Sequence, residues 1–75
     1  MNDIIDLTKS GKKLLDVENY NDALSFFDQA LSQDPTNPDL WNYKGIALRS
    51  LGRYAEALQC YNKSLEIEPR DKESS

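Results

Sequence analysis

Few side chains in this sequence could do covalent chemistry. The 75 residues include one cysteine, Cys60, and no histidine, so the commonest general base is missing and a zinc site lacks its usual ligands. Cys60 falls within a predicted helix beside Lys63 and Glu66, and a lone cysteine there usually behaves as a small hydrophobic residue. Glu66 and Glu68 are more typical of solvated charge than of a catalytic pair. No glycine-rich phosphate loop is present. We therefore expect a protein that is not an enzyme and that uses no metal or cofactor.

The charge balance limits the partners that can be expected. Nine basic and thirteen acidic residues give a net charge of −4, whereas nucleic-acid binders concentrate basic residues on one face and anionic membranes attract basic segments. No apolar run approaches the roughly 20 residues that span a bilayer, and the segment 1–6 carries acid where a signal peptide carries base. A lone cysteine is typical of a reducing compartment. We expect no nucleic-acid or membrane partner and a cytoplasmic location.

The sequence matches itself when it is shifted so that Gly11 falls on Gly45. Identical residues then align at seven positions: Gly11 with Gly45, Leu14 with Leu48, Tyr20 with Tyr54, Ala23 with Ala57, Leu24 with Leu58, Leu31 with Leu65, and Pro35 with Pro69. A fixed period of this size is typical of a solenoid, in which each unit buries its apolar face against its neighbours.

Apolar residues recur at three- and four-residue steps in four segments, which predicts four amphipathic helices. These run from about Asp3 to Asp16, Tyr20 to Gln33, Pro38 to Leu51, and Tyr54 to Glu68. No segment alternates with period two, so no strand is predicted. Because the connections are short, consecutive helices must lie antiparallel. The predicted fold is all-α, a solenoid of two antiparallel helix–turn–helix hairpins stacked side by side.

The residues at the helix ends support these bounds. Asn2 and Asn37 could cap the first and third helices, and Pro38 suits the first helical position. Asn19 is expected to take the left-handed backbone conformation that ends the first helix. Gly52 is expected to take the same conformation at the end of the third helix.

The second helix is expected to have an apolar inner face, and the fourth helix is expected to use equivalent apolar residues. These consist of Ala23, Leu24, Phe27, Ala30 and Leu31 in the second helix and of Ala57, Leu58, Tyr61, Leu65 and Ile67 in the fourth. Gly11 is expected to face Ala23, so that the two helices approach closely. By the same argument Gly45 is expected to face Ala57.

These positions resemble the tetratricopeptide repeat, a 34-residue helix–turn–helix with the pattern W-x2-L-G-x2-Y, A-x3-F and P. The second unit reads Trp41-x2-Lys44-Gly45-x2-Leu48, Ala57-x3-Tyr61 and Pro69; the first reads Leu7-x2-Ser10-Gly11-x2-Leu14, Ala23-x3-Phe27 and Pro35. Ser10 and Lys44 replace the leucine, and Lys44 is expected to run along the hairpin edge. The resemblance covers residues 4–69 and implies a first hairpin at 4–37, a second at 38–71 and a polar tail at 72–75.

The resemblance also implies a concave groove, lined by the first helix of each hairpin, that takes an extended peptide or a partner helix. The groove residues would be Ile5, Thr8, Lys9, Lys12, Leu15 and Asp16, with Asp39, Asn42, Tyr43, Ile46, Arg49 and Ser50. An apolar surface with a few cations suits a protein or peptide ligand that is acidic or ends in a carboxylate. Lys9, Lys12 and Lys13 equally fit a solvated helix face.

Some members of this family clamp the C-terminal carboxylate of heat-shock chaperones with lysine and asparagine side chains. This chain departs from that arrangement, because Thr8 and Lys12 replace the first lysine and asparagine and Tyr43 replaces the second asparagine.

The end of the second unit predicts a different surface. Such arrays usually close with a helix that has a polar outer face, but only six polar residues follow Pro69. Part of an apolar face is therefore expected to stay uncovered, at Cys60, Tyr61, Leu65 and Ile67. Two interpretations fit: a piece of a longer array, or a face covered by another copy. In the second case the chain is a self-assembly unit that forms a homodimer, by stacking or by swapping helices after the turn at 51–53 straightens.

Overall fold

A computed structural model describes residues 3–67 of the chain as four α-helices. These are α1 (Ile4–Asp16), α2 (Tyr20–Gln33), α3 (Pro38–Ser50) and α4 (Tyr54–Ile67). Each helix packs against the next one along the chain, and α1 also touches α3. The predicted all-α fold of two helical hairpins is confirmed, and residues 3–67 contain no strand. The predicted helix end at Glu68, the repeat position Pro69 and the predicted tail at 72–75 lie outside the described residues.

The starts of α1 and α3 carry side-chain caps of the residue types that are favoured at this position. The Asn37 side chain accepts a hydrogen bond from the Asp39 N–H at 3.0 Å, so the predicted cap of α3 is confirmed. At α1 the cap is Asp3, which accepts from the Asp6 N–H at 3.0 Å. The prediction placed this cap one residue earlier, at Asn2, which lies outside the described residues.

The turn that ends α3 uses glycine as predicted. Gly52 has a φ of 84°, and its N–H donates to the Arg49 carbonyl at 3.0 Å. The Arg53 N–H reaches back to the Leu48 carbonyl at 2.9 Å. This pair of bonds satisfies carbonyls that the helix end leaves open. The helix stops at Ser50, one residue before the predicted end.

The turn that ends α1 has the same hydrogen bonds but no glycine. The Glu18 N–H donates to the Leu15 carbonyl at 3.0 Å, and the Asn19 N–H donates to the Leu14 carbonyl at 2.8 Å. Glu18 has a φ of 61°, whereas Asn19 has a φ of −97°. The prediction that Asn19 takes the left-handed backbone is therefore wrong by one residue. Asn19 instead precedes α2, where its side chain donates to the Asp22 carboxylate at 2.9 Å.

This geometry predicts that replacing Glu18 by glycine stabilises the protein. A left-handed backbone costs a residue with a Cβ about 1–2 kcal/mol, and glycine avoids that cost while losing more entropy on folding. We expect a net increase of about 0.5–1 kcal/mol in the free energy of unfolding, measured by urea denaturation. Gly52→Ala makes the opposite substitution, from glycine to a residue with a Cβ, at the equivalent turn after α3. It should lower the free energy of unfolding. An unchanged or lower stability of the Glu18→Gly variant would contradict this account.

The helices of each hairpin meet where a glycine faces an aromatic ring. A Cβ added to Gly11 would lie 2.5 Å from Cε1 of Phe27, and one added to Gly45 would lie 2.7 Å from Cε1 of Tyr61. The glycines were predicted to face Ala23 and Ala57, and the side-chain atoms nearest to them belong to the rings of Phe27 and Tyr61. They make room for the ring that lies one helical turn after each alanine.

Equivalent side chains of the two hairpins differ in how far they are buried. Leu24 and Leu31 of α2 are 9% and 7% exposed, whereas Leu58 and Leu65 at the same places in α4 are 59% and 53% exposed. The exposure of Leu65 agrees with its assignment to the uncovered apolar face, whereas Leu58 was expected to lie on the inner side of the fourth helix and is exposed. The reason is that α3 covers the outer side of α2, while no helix within residues 3–67 follows α4.

Candidate interaction surfaces

Tyr43 is the centre of the surface where α1 and α3 meet. Its ring stacks on Phe27 with the centroids 5.4 Å apart and an angle of 19° between the planes. The Lys12 ammonium lies 5.4 Å from the centroid of the Tyr43 ring, which is within the range of a cation–π interaction. Of the residues assigned to the groove from the sequence, Lys12 and Tyr43 are thus brought together across two helices.

The other predicted groove residues differ in exposure. Leu15, Asn42 and Ile46 are half-buried, and Leu15 packs against the cores of both hairpins. Thr8 is half-buried and donates its hydroxyl hydrogen to the Ile4 carbonyl at 2.7 Å. Arg49 is exposed in the last turn of α3. Eight of the predicted groove residues make up what we call the α1–α3 surface: Thr8, Lys9, Lys12, Leu15, Asn42, Tyr43, Ile46 and Arg49.

Lys9 is exposed and also borders a second feature. A shallow depression of ≈ 470 Å³ lies on α1 alone and is lined by Lys9, Ser10, Lys12, Lys13 and Asp16. Lys12 lines this depression and also contacts Tyr43. The cations of α1 thus continue from the α1–α3 surface onto the outer side of α1.

The exposed apolar residues of α4 form a second surface. Tyr54, Leu58 and Leu65 are exposed and Tyr61 is half-buried; we call these four residues the α4 surface. Cys60 and Ile67 were also predicted to lie on the uncovered apolar face. Ile67 is half-buried, but Cys60 is only 4% exposed and packs with the core residues around Leu48. The assignment of Cys60 to the uncovered face is therefore wrong, because its side chain points into the hairpin.

Cys60 has an environment that disfavours its reactive form. Burial raises the pKa of the Cys60 thiol, and the nearby Lys44 ammonium lowers it by less. The thiolate is the nucleophile and the metal ligand, so a raised pKa is typical of a structural cysteine. Residues 3–67 contain no group of acidic or cysteine side chains that could hold a metal ion.

A cleft that the sequence did not indicate lies between α2, α3 and α4. Its volume is ≈ 520 Å³, and its lining includes the apolar residues Leu24, Leu48 and Cys60. Two ion pairs lie at this cleft: the Lys44 ammonium is 2.7 Å from the Asp28 carboxylate, and Arg53 is 2.7 Å from Glu56. Opposite charges meet here, so the cleft presents no single-signed field to a ligand.

The interactions of Lys44 and Trp41 join the two hairpins. Lys44 was expected to run along the hairpin edge, but it pairs with Asp28 of α2 and lies 5.6 Å from the Trp41 ring centroid. The Trp41 ring nitrogen donates to the Pro35 carbonyl at 2.8 Å. The ion pair and the hydrogen bond both cross from one repeat unit to the other. Because Lys44 and Asp28 lie on different helices and far apart in the sequence, no local pattern indicated their pairing.

The model of the tetratricopeptide repeat matches residues 38–71. An uncharacterized protein of Methanocaldococcus jannaschii is 42% identical over 60 residues, a match that covers 76% of this chain and 70% of that protein.

Two relatives with descriptive names are much longer than this chain. A Hsp70-Hsp90 organising protein of Plasmodium falciparum is 34% identical over 61 residues, which cover 81% of this chain and 24% of that protein. A tetratricopeptide repeat and J domain-containing co-chaperone of Fusarium oxysporum is 39% identical over 49 residues, which cover 65% of this chain and 9% of that protein. The matched segments are therefore small parts of both proteins.

None of the helices within residues 3–67 is long and apolar enough to cross a membrane.

Proposed function

The chain belongs to the tetratricopeptide repeat family of protein-interaction modules, and from this premise we propose that its α1–α3 surface binds a protein segment. The preferred ligand is acidic or ends in a free carboxylate and carries one or two apolar side chains. The names of two relatives, an Hsp70-Hsp90 organising protein and a co-chaperone, support a protein as the partner.

The contact between Lys12 and Tyr43 is the observation that carries this proposal. It places a cation beside a half-buried aromatic ring, at the junction of two helices. Arg49 adds a second exposed cation from the last turn of α3. Leu15 and Ile46 are half-buried and offer apolar area to a ligand side chain. An acidic peptide would pair with the cations while its apolar residues cover this area.

Charge reversal at Lys12 and Arg49 tests this proposal. The probe is a synthetic peptide of glutamate and leucine residues with a free C-terminal carboxylate, and its affinity is measured by calorimetry at two salt concentrations. We expect the variant with Lys12→Glu and Arg49→Glu to bind at least about tenfold more weakly, a loss of about 1.4 kcal/mol. Its affinity should also depend less on salt, because attractive charge pairs have been removed.

The control reverses two cations elsewhere, with Arg53→Glu and Lys63→Glu. This variant has the same net charge as the test variant, so any effect of overall charge is equal in both. An equal loss of affinity in the two variants, or no loss in the first, would place the binding surface elsewhere. The amidated peptide shows how much of the affinity comes from the terminal carboxylate.

A second function, self-assembly into a homodimer, is favoured by the exposure of Leu58 and Leu65. Burying apolar area contributes about 25 cal/mol per Å² to association, and the α4 surface is the part of α4 that corresponds to the buried face of α2. Exchange of helices between copies is the swapped form of this assembly. It requires the turn at Gly52 to straighten, and the variant Gly52→Ala should promote it because alanine disfavours a φ of 84°.

A further inference from the structure

The contact of α3 with α2 shows what kind of helix covers the outer face of a hairpin. Leu40 is buried in the cluster that contains Phe27, and Tyr43 stacks on the Phe27 ring. Ala47 is buried in the cluster that contains Leu24. The covering helix therefore offers uncharged residues at these three positions, and Leu24 becomes buried as a result.

The outer face of α1 does not have this chemistry. In the first repeat unit, Asp6, Lys9 and Lys13 take the places that Leu40, Tyr43 and Ala47 take in the second, and all three are exposed. If copies stacked head to tail, with α1 of one covering α4 of the next, these charges would be buried against the α4 surface. Burying a charge without a partner is costly, and the α4 surface has no charged residue to pair with them. The outer faces of α1 and α4 therefore do not complement each other.

The α4 surface, in contrast, is complementary to itself. Tyr54, Leu58, Tyr61 and Leu65 are spaced by four, three and four residues, the spacing of a seam between two packed helices. In an antiparallel pair, Tyr54 would lie opposite the partner's Leu65, and Leu58 opposite the partner's Tyr61. Within α4 the neighbours of the seam carry no charge: Ala55 and Asn62 on one side, Ala57 and Ser64 on the other. Pairing two α4 helices along this seam therefore brings no like charges together at these four flanking positions. This holds although each copy has a net charge of −4.

We propose that two copies associate tail to tail, by antiparallel pairing of their α4 helices about a two-fold axis, and not by head-to-tail stacking. A two-fold contact uses the same patch on both copies and closes at the dimer, whereas a head-to-tail contact continues into longer assemblies. This inference rests on the second function proposed above and is independent of peptide binding.

Sedimentation of matched variants tests whether the copies associate through the α4 surface. The parent chain should approach a dimer as its concentration rises, and Leu58→Glu should raise the dissociation constant at least about tenfold. The control is Val17→Glu. Val17 is an apolar residue that is 66% exposed, similar to Leu58. It corresponds to Leu51 of the second repeat unit and would lie in a head-to-tail contact. This variant should leave the dimer unchanged. Circular dichroism of both variants checks that they fold.

Three outcomes would overturn the inference. A parent chain that stays monomeric at its highest attainable concentration refutes both the tail-to-tail contact and the second function. Growth beyond a dimer that Val17→Glu suppresses shows head-to-tail stacking. A dimer that neither variant weakens indicates exchanged helices, in which case self-assembly stands and the tail-to-tail contact falls.

A spin label tests the two-fold symmetry. The label is attached to Ala55→Cys in a chain whose own thiol is removed by Cys60→Ala, and this chain is mixed with an unlabelled copy enriched in ¹⁵N. Tail-to-tail pairing predicts that amide signals of α4 in the ¹⁵N copy broaden while those of α1 do not. Broadening confined to α1 would show the head-to-tail contact instead.

Discussion

Replacing Phe27 by alanine is expected to leave the chain largely unfolded in water at room temperature. Phe27 is 0% exposed and belongs to the core cluster that joins α1, α2 and α3. Truncating such a residue costs about 3–5 kcal/mol, whereas a single small core supplies only about 3–5 kcal/mol in total. Circular dichroism of the helical signal during urea titration measures the effect.

Tyr61→Ala is the matched control, because Tyr61 occupies the same place in the second hairpin. Its ring is only half-buried, so we expect a smaller loss and a chain that still unfolds cooperatively. A Phe27→Ala variant whose unfolding midpoint stays near that of the parent would show that the core does not depend on this ring.

Gly11→Ala is expected to destabilise the protein by up to about 2 kcal/mol, although alanine is the better helix former. The added Cβ would lie 2.5 Å from Cε1 of Phe27, and the Phe27 ring is fully buried with Tyr43 stacked on it, so it has no space to move into. Overpacking of this kind costs about 1–3 kcal/mol, from which the gain in helix propensity of about 1 kcal/mol is subtracted. Urea denaturation gives the net value.

The same change in the second hairpin should cost less. A Cβ at Gly45 would lie 2.7 Å from Cε1 of Tyr61, but that ring is half-buried and can shift towards solvent. We expect Gly45→Ala to stay within about 1 kcal/mol of the parent. Equal losses for the two variants would contradict the difference in packing between the hairpins.

The repeat and the fold class could be predicted from the sequence because they depend on residue spacing. Seven identities at one constant shift fix the pairing of the units, and short connections leave antiparallel hairpins as the solution. The cap at Asn37 and the left-handed glycine at Gly52 were also predictable, since each depends on the chemistry of one residue.

Contacts between helices were less predictable, because spacing gives the face of a helix but not its partner. Gly11 was expected to meet Ala23, and the sequence did not indicate that the side chain nearest to Gly11 is Phe27, one turn further along. The ion pair between Lys44 and Asp28 crosses two units, so neither the repeat nor the helix period indicates it. Each of these depends on how far one helix is shifted along its neighbour.

The burial of the α4 residues could not be predicted from the sequence, for a different reason. Leu58 repeats Leu24 in identity and in position, but it is exposed because burial depends on the helix that follows. Cys60 has the opposite outcome: it was assigned to the uncovered face and is buried. A periodic sequence predicts which residues are equivalent, and only the neighbouring helix determines which of them are covered.

The most direct test of the proposed function is an NMR titration of the ¹⁵N-labelled chain with the acidic, carboxylate-ended peptide. If the α1–α3 surface binds it, amide shifts should change at Lys12, Tyr43 and Arg49 and spread along the facing sides of α1 and α3. Adding salt should reverse the changes, because exposed charge pairs are screened. Changes confined to α2 and α4, or no changes at millimolar peptide, would contradict the proposal that this surface binds protein segments.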